Sequence, residues 1–211
     1  MPENNRLFYI HDPMCSWCYA FSRSWAALCQ ELPVQIEVVY VVGGLAPDTT
    51  EPMPQAVRNM VQQAWQRIEQ TVPGVRFNWD FWSSVTPMRS TYPACRAVLA
   101  AKQQRATCEA AMIEAIQVAY YQQAMNPSLP ETLCACAHEV GLNEDQFRTD
   151  LASAEIEQAL QRDLQLAREL GVNSYPSLRL VQGQTIVPIK IDYLDHQSML
   201  DVINACLHAD R

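Results

Sequence analysis

The stretch Asp12-Pro13-Met14-Cys15-Ser16-Trp17-Cys18-Tyr19 decides how the rest of the chain is interpreted. Before it lies a short apolar run, Leu7–Ile10, which predicts a buried strand that ends near the proline. After it, aromatic and leucine side chains recur at helical spacing through Cys15–Leu32, and Pro33 ends the pattern. The stretch therefore places two cysteines, separated by two other residues, where a strand is followed by a helix.

Two cysteines with this spacing form a redox pair, half of a zinc site or a purely structural pair of thiols. Their position favours the redox pair, because the unpaired N–H groups and the dipole at a helix N-terminus stabilise a thiolate. We expect Cys15 to be the nucleophile. Cys18, about 5 Å away between Cα atoms, is expected to be the buried resolving thiol. Ser16 and Trp17 carry no charge and are expected to tune the reduction potential and contact the substrate.

The sequence completes no convincing metal site around this pair. Cys134-Ala-Cys136 is the other close pair, and it lies within a predicted helix, where residues two apart point in different directions. We predict no metal and no bound cofactor, with glutathione as a candidate co-substrate. Most of the remaining cysteines stand among apolar neighbours and are expected to be reduced: Cys29, Cys95, Cys108, Cys134 and Cys206.

Strands are predicted near both ends of the chain. Val34–Val42 is rich in β-branched residues and is interrupted by Gly43-Gly44, so the chain opens as a parallel strand–helix–strand crossover. It closes with Leu178–Val181 and Thr185–Ile189, joined by a hairpin signal, and with a helix at Asp195–Leu207.

The middle of the chain shows no strand-type alternation and predicts a block of helices. The predicted helices are Gln55–Thr71, Tyr92–Gln104, Thr107–Met125, Pro130–Val140, Asn143–Leu151 and Ala154–Leu170. Trp79, Phe81 and Trp82 are predicted to lie in a loop after the first of them, and Asn143 is expected to cap its helix. The predicted fold class is α/β, in the order βαβ, a large all-helical insertion, then ββα.

Tyr175-Pro176 stands between a predicted helix end and a strand, where a proline is permitted. X-Pro bonds are the usual source of cis peptides, and a cis bond here would expose the backbone of Tyr175 to an extended substrate. A trans turn proline is also compatible with these residues alone. Beside a Cys-x-x-Cys pair on the first helix, the cis form is favoured, and Pro176 becomes a site candidate.

Composition limits the partners of this chain. It has 211 residues, 49% of them hydrophobic, and a formal net charge of −8. This apolar content supports a large core, and an acidic chain without basic runs is a poor ligand for nucleic acid or for a membrane surface. The sequence contains neither a signal-peptide core nor an apolar run of about 20 residues, so we expect a cytoplasmic protein without a membrane span.

The sequence resembles the DsbA-like branch of the thioredoxin superfamily, most closely its FrnE-like cytoplasmic group. Besides the opening stretch, the motifs that carry the resemblance are Gly43-Gly44-Leu45-Ala46-Pro47, Tyr92-Pro93-Ala94-Cys95-Arg96-Ala97, and Gly171-Val172 followed by Tyr175-Pro176. The resemblance implies a thioredoxin fold with a helical insertion, a nucleophile at Cys15, a resolving thiol at Cys18 and a cis-proline at Pro176. We assign residues 1–48 and 165–211 to the thioredoxin domain and 49–164 to the insertion.

The predicted function is a thiol–disulfide oxidoreductase, as a monomer or a dimer, that reduces or isomerises disulfides of proteins or small molecules. The alternative is a glutathione-linked transferase or isomerase of the kappa or 2-hydroxychromene-2-carboxylate isomerase type. Those relatives typically have Ser where this chain has Cys15, and they lack the second thiol. A binding module that is switched by the redox state of the pair is a third hypothesis.

Some candidates have weaker support in the sequence. Trp82 and Tyr92 are predicted to line an apolar groove over the nucleophile and bind substrate, with ordinary packing against the sheet as the alternative. Asp12 and Glu37 are candidates for a buried proton carrier that serves the resolving thiol. His11, at the end of the first strand, is a candidate for adjusting the nucleophile, or is held by hydrogen bonds.

Overall fold

One mixed sheet forms the centre of the molecule in the computed structural model, which describes residues 5–209. Its strands are β1 (Asn5–His11), β2 (Ile36–Val42), β3 (Ser177–Gln182) and β4 (Thr185–Ile189), in the order β2-β1-β3-β4. β1 runs parallel to β2, and β3 runs antiparallel to both β1 and β4. Helix α1 (Ser16–Glu31) connects the parallel pair, as the sequence predicted.

Helices fill the chain between β2 and β3. They are α2 (Gln55–Thr71), α3 (Phe81–Ser84), α4 (Tyr92–Gln104), α5 (Cys108–Tyr121), α6 (Pro130–Glu139), α7 (Glu144–Leu151) and α8 (Ala154–Glu169), and α9 (His196–Ala209) follows β4. This order confirms the predicted α/β fold class with its helical insertion. The domain boundaries stay a prediction. Helix α8 runs through the one placed at 164/165, and residues 1–4 and 210–211 lie outside the described residues.

Both faces of the sheet are covered, which explains why β1 is apolar at successive positions. Leu7 and Tyr9 pack in a cluster with residues of α1 and α9, whereas Phe8 and Ile10 pack with Ala167 of α8 on the opposite face. The first turn of α1 therefore follows the end of a strand that is buried on both sides. The packing of this strand supports the backbone of the turn.

Two helices differ from the sequence predictions by more than two residues at an end. A short helix, α3, replaces the predicted loop, because the hydroxyl groups of Ser83 and Ser84 both donate to the Asp80 carbonyl while Phe81 is buried. Helix α5 ends at Tyr121, four residues early, where Ala124 adopts a left-handed conformation with φ 57°. The predicted cap at Asn143 is confirmed, since its side chain accepts from Gln146 N–H at 2.9 Å.

No helix in residues 5–209 is both long and apolar enough to span a membrane.

The carboxyl group of Asp163 in α8 makes stability depend on pH. Val42 N–H of β2 donates to it at 2.9 Å, and burial raises its pKa to about 6. An aspartate in an unfolded chain has a pKa near about 3.9, so the folded state binds this proton more tightly. Ionisation of Asp163 therefore lowers the stability of the fold as the pH rises from about 4 to about 6.

We expect Asp163→Asn to gain about 2 kcal/mol of stability relative to the unmodified chain between pH 4 and pH 7. The asparagine cannot ionise, and its oxygen can still accept from Val42. Urea unfolding at pH 4, 5.5 and 7 measures the difference, with Glu139→Gln as a control that removes an exposed negative charge. A stability difference that does not change with pH would contradict the assignment.

Candidate active site

Cys15 occupies the N-cap position of α1, with extended backbone angles (φ −84°, ψ 116°). Its N–H donates to the Asp12 carbonyl at 3.0 Å, and its own carbonyl accepts from Tyr19 N–H at 3.0 Å, so the turn before the helix is closed on both sides. The side chain of Cys15 is 7% exposed, whereas Cys18, one turn into the helix, is 0% exposed. An incoming substrate can therefore reach Cys15 before it can reach Cys18.

Both cysteines are free thiols, so the structure describes the dithiol state. Burial, followed by the neighbouring Cys15 thiol, raises the pKa of Cys18 well above its ordinary value. Cys18 is therefore held as a protonated thiol, which is compatible with its predicted role as the resolving thiol. Burial and the two thiols also raise the pKa of Tyr9, whose ring lies beneath the helix.

The buried carboxylate of Asp12 joins three separate segments at the site. Its Oδ1 accepts from Met14 N–H at 2.8 Å. Its Oδ2 accepts from Leu45 N–H at 2.7 Å and from the Thr91 hydroxyl at 2.6 Å. The Cys95 thiol also lies 3.7 Å from Oδ2. Asp12 thus fixes the turn before Cys15 to the loop after β2 and to the start of α4.

Burial is the largest influence on Asp12 and raises the pKa of its carboxyl group, while the hydrogen bonds from Thr91, Leu45 and Met14 act in the opposite direction. Asp12 is a candidate proton carrier in the sequence, and the structure places it within the site. Glu37, the other candidate, is exposed on the edge strand β2.

The loop before β3 faces the nucleophile. The Tyr175–Pro176 peptide bond is cis, and the Cys15 thiol donates to the Tyr175 carbonyl over 3.6 Å. The Tyr175 hydroxyl donates to the Gly43 carbonyl at 2.7 Å, and a Cβ atom on Gly43 would overlap the tyrosine ring. A glycine at position 43 is therefore required for Tyr175 to reach across the site.

A pocket of about 240 Å³ opens beside Cys15. Its lining residues are Met14, Cys15, Ser16, Trp17, Leu45, Met60, Val61, Ala64, Arg89 and Tyr175. The walls are mostly apolar, and Arg89 is the charged residue among them. Its guanidinium forms no salt bridge among residues 5–209, although its charge acts on the buried Asp12 carboxyl group and opposes the rise in the pKa of that group. The pocket can therefore accept an apolar group next to the thiol and a negative charge at Arg89.

The structure brings together three of the five predicted substrate-binding residues: Ser16, Trp17 and Tyr175 all line the pocket. Trp82 lies elsewhere, 5% exposed within an aromatic cluster around Trp65, and Arg58 covers its ring at 5.6 Å. Tyr92 packs beside Gly44 and is not part of the pocket lining. The geometry supplies no support for a substrate role of Trp82 or Tyr92.

His11 lacks the hydrogen bonds of one predicted role within residues 5–209, and its influence on the nucleophile stays a prediction. It is 0% exposed, and its ring nitrogens have no hydrogen-bond partner among the described residues. Its ring lies against Tyr9 and Tyr40, with centroids 5.1 and 6.0 Å away. Burial lowers the pKa of His11 to about 3, so it is a neutral ring at physiological pH.

Two residues of the site were not identified from the sequence. Thr91 precedes the predicted helix at Tyr92 and has the sequence signature of an N-cap, but its hydroxyl donates to Asp12 and makes no capping bond. Arg89 stands in an irregular segment with no periodic signal. The sequence did predict the helix α2, and its residues Val61 and Ala64 line the pocket.

Within the described part of the chain, no group of three or more His, Cys, Asp or Glu residues is arranged to hold a metal ion. Of the cysteines outside the pair, Cys95, Cys108, Cys134 and Cys136 are buried, while Cys29 and Cys206 are half-buried.

Comparison with known proteins gives one family and two groups of relatives. The family model described as thioredoxin matches residues 8–196. A candidate protein disulfide isomerase from Nitrosomonas europaea is similar in structure over 98% of this chain and 99% of its own, with 25% identity and a TM-score of 0.86. The cytosolic disulfide reductase DsbM from Pseudomonas aeruginosa is similar over 97% of this chain and 99% of its own, with 25% identity and a TM-score of 0.78. DsbM has also been solved with GSH, and several DsbA oxidoreductases share the fold at 18% identity or less.

The curated relatives are named for a different role. The ClpXP adapter protein SpxH of Halalkalibacterium halodurans is 24% identical over 175 residues, which cover 81% of this chain and 56% of SpxH. SpxH of Bacillus subtilis is 21% identical over 180 residues. This chain spans little more than half of the length of the curated relatives that it matches.

Proposed function

Because this chain belongs to the thioredoxin family and has the fold of DsbA-like oxidoreductases, we propose that it exchanges thiols and disulfides through Cys15 and Cys18. The observation that carries the proposal is the arrangement of the pair. An accessible thiol at a helix N-cap faces the Tyr175 carbonyl, and a fully buried thiol lies one turn behind it.

In the reductive direction the Cys15 thiolate attacks one sulfur of a substrate disulfide. This forms a mixed disulfide and releases the other substrate sulfur as a thiolate. Cys18 then loses its proton and attacks the Cys15 sulfur, which forms the Cys15–Cys18 disulfide and releases the second substrate thiolate. The protein loses two electrons and the substrate gains them, while the two protons of the cysteine pair balance the two product thiols.

The Tyr175 carbonyl has a role in both protonation states of Cys15. In the dithiol state it accepts the Cys15 thiol hydrogen. When Cys15 ionises, this bond is lost and the carbonyl becomes available to a backbone N–H group of an extended substrate. The proposed substrates are therefore disulfides of proteins or small molecules, and the proposed reductant of the Cys15–Cys18 disulfide is a small thiol such as glutathione.

We propose that the chain acts as a reductase or isomerase in a reducing compartment, the cytoplasm. Two observations support this setting. The similar protein DsbM is cytosolic, and six further cysteines outside the pair are free thiols, which an oxidising compartment would place at risk.

A redox titration tests the proposed pair. The full-length protein is equilibrated in a series of reduced and oxidised glutathione, quenched in acid, alkylated and weighed by mass spectrometry. We expect one reversible two-electron transition, with a midpoint more negative than about −220 mV for a reductase. Cys15→Ser should abolish the transition, whereas Cys136→Ala, which removes another buried thiol, should leave it unchanged. A Cys15–Cys18 disulfide whose population does not vary across the series would refute the proposal.

Arg89 is expected to favour acidic disulfides. Its guanidinium lines the pocket beside Cys15 and forms no salt bridge in residues 5–209. One charge–charge interaction in a partly solvated pocket is worth about 1 kcal/mol, so we expect Arg89→Met to slow the reaction with oxidised glutathione about fivefold. The rate with cystamine, a cationic disulfide, should stay the same or rise.

The control for this prediction is Arg148→Met, an exposed position on α7 with the same change in net charge. It should leave both rates unchanged. Equal slowing of the anionic and the cationic disulfide by Arg89→Met would show that the arginine supports the structure of the pocket without selecting charge.

A protein-binding role is the second candidate, and the similarity to SpxH favours it. In this case a partner would bind in one redox state of the pair without turnover. Insulin reduction in the presence of dithiothreitol separates the two functions, since turnover of insulin requires exchange. A transferase or isomerase, the other alternative, would retain activity in Cys18→Ala and lose it in Cys15→Ser.

A further inference from the structure

A cleft of about 400 Å³ lies between α1 and α5. Tyr19, Ala26 and Cys29 of α1 form one wall, and residues of α5, among them Ala110 and Gln117, form the other. None of its lining residues belongs to the Cys15 pocket. The cleft is therefore a separate feature of the fold.

Three aromatic rings form the floor of this cleft. Tyr9 of β1 and Trp25 of α1 lie 4.5 Å apart between ring centroids, and Tyr40 of β2 stands perpendicular to Trp25 at 5.9 Å. Trp25 Nε1–H donates to the Tyr40 hydroxyl at 3.1 Å. The hydrogen of that hydroxyl has no acceptor among residues 5–209, so Tyr40 can donate to a ligand.

A second polar group points to a ligand in the cleft. Gln117 of α5 is 5% exposed as a residue and lines the cavity, and its amide makes no side-chain hydrogen bond within the described residues but is open to the cleft. An amide that faces an open cleft can be satisfied by water, and a bound molecule with a complementary polar group can take the place of that water. Gln117 and Tyr40 together supply donors and an acceptor over an otherwise apolar surface.

The size and charge of the cleft limit what it can bind. A cavity of roughly 150 Å³ holds benzene, so about 400 Å³ is sufficient for two or three fused rings. The rim has Arg23 on α1 and Glu114 on α5, both exposed and of opposite charge, and this pair does not favour a ligand with net charge.

We propose that the cleft between α1 and α5 is a second binding site, for a neutral, planar aromatic molecule with a hydroxyl or N–H group. The rings of the ligand lie over Tyr9, Trp25 and Tyr40, and its polar group bonds to the Gln117 amide. The site uses neither cysteine of the pair, but it adjoins the pair, because Tyr9 in its floor lies beside Cys18.

The test uses 2-naphthol as the probe and the full-length reduced protein, with binding measured by calorimetry and by ligand-observed NMR. We expect saturable binding of one molecule per chain. Ala110→Trp places a large ring in the mouth of the cleft from an exposed position and should weaken binding about tenfold or more. Ala111→Trp, its neighbour on the exposed face of α5, does not line the cleft and should change the affinity less than about twofold.

Two more variants test the opposite wall of the cleft and the polar contact with the ligand. Ala26→Trp closes the cleft from α1 and should reproduce the loss. Gln117→Leu should weaken 2-naphthol about fivefold and leave naphthalene unchanged, because naphthalene makes no hydrogen bond. Binding that is absent, that is weakened equally by Ala110→Trp and Ala111→Trp, or that is abolished by alkylation of Cys15, would overturn the proposal.

Discussion

Replacement of Cys18 by alanine is expected to stop the proposed cycle of thiol–disulfide exchange at a covalent complex with the substrate. Cys15 can still attack a disulfide, since it is the accessible thiol of the pair. Without Cys18 no internal thiol is placed to attack the mixed disulfide, so release depends on slow exchange with external thiols. We expect turnover with insulin to fall by at least about a hundredfold, while a mixed disulfide accumulates.

Non-reducing electrophoresis and mass spectrometry of the trapped species measure this result. Cys15→Ser is expected to lose turnover to the same extent and to trap nothing, because a serine hydroxyl does not attack disulfides at neutral pH. Cys134→Ala, which removes a buried thiol from α6, is the matched control and should keep full turnover. Trapping by Cys15→Ser through Cys18 would reverse the assigned roles.

Asp12→Ala is expected to destabilise the protein by about 3 kcal/mol and to slow thiol exchange at the same time. The substitution removes the acceptor for Met14 N–H, Leu45 N–H and the Thr91 hydroxyl, and these groups lie in a buried or partly buried environment. Each donor left without a partner costs about 1–3 kcal/mol, and relief from burying a carboxylate offsets part of this sum.

The stability deficit of Asp12→Ala should depend on pH in a defined direction. Because burial raises the pKa of Asp12 in the folded state, the folded protein binds this proton more tightly than the unfolded chain does. The contribution of Asp12 to stability is therefore greatest below the unfolded pKa, and it decreases as the pH rises through the folded pKa. In urea unfolding, the difference in stability between Asp12→Ala and the unmodified protein should therefore become smaller as the pH rises.

Two further variants distinguish a positioning role of Asp12 from a general loss of stability. Asp12→Asn keeps one acceptor oxygen and should lose less stability than Asp12→Ala. Asp150→Ala removes another buried aspartate, which accepts from Gln146 at 2.7 Å in the insertion, far along the chain from the site. It should destabilise the fold without slowing thiol exchange or changing the reduction potential of the pair. If Asp12→Ala changes neither the exchange rate nor the potential, this carboxylate has a structural role alone.

The helix bounds show how far local patterns determine structure. Gln55–Thr71 and Tyr92–Gln104 are found with the predicted bounds, because caps, prolines and a 3.6-residue apolar period are properties of neighbouring residues. The end of α5 was predicted too late. It depends on the left-handed turn at Ala124, for which the sequence has no glycine signal.

The aromatic residues of the insertion show where local patterns are insufficient. A tryptophan in a loop fits a substrate groove and a packed core equally well until its neighbours are known. In the structure Trp82 packs against Trp65 and Arg58, so burial in the insertion decides its place. Arg89 has no periodic signal around it. It is positioned by its neighbours in the chain, since Met88 is bridged to Pro52 and the Ser90 carbonyl accepts from the Ser128 hydroxyl.

The sequence by itself determined the order of strands and helices, the position of Cys15 and Cys18 at a strand-to-helix junction, and the proline that follows Tyr175. Each of these depends on residues close together in the chain, whose backbone preferences and periodicity act locally. The tertiary structure alone decided that Asp12 bonds to Leu45 and Thr91, 33 and 79 residues away. It also decided that Tyr175 meets Cys15 across 160 residues, and that a cleft remains between α1 and α5. Contacts at such separations depend on how whole elements pack, and no local pattern of residues specifies them.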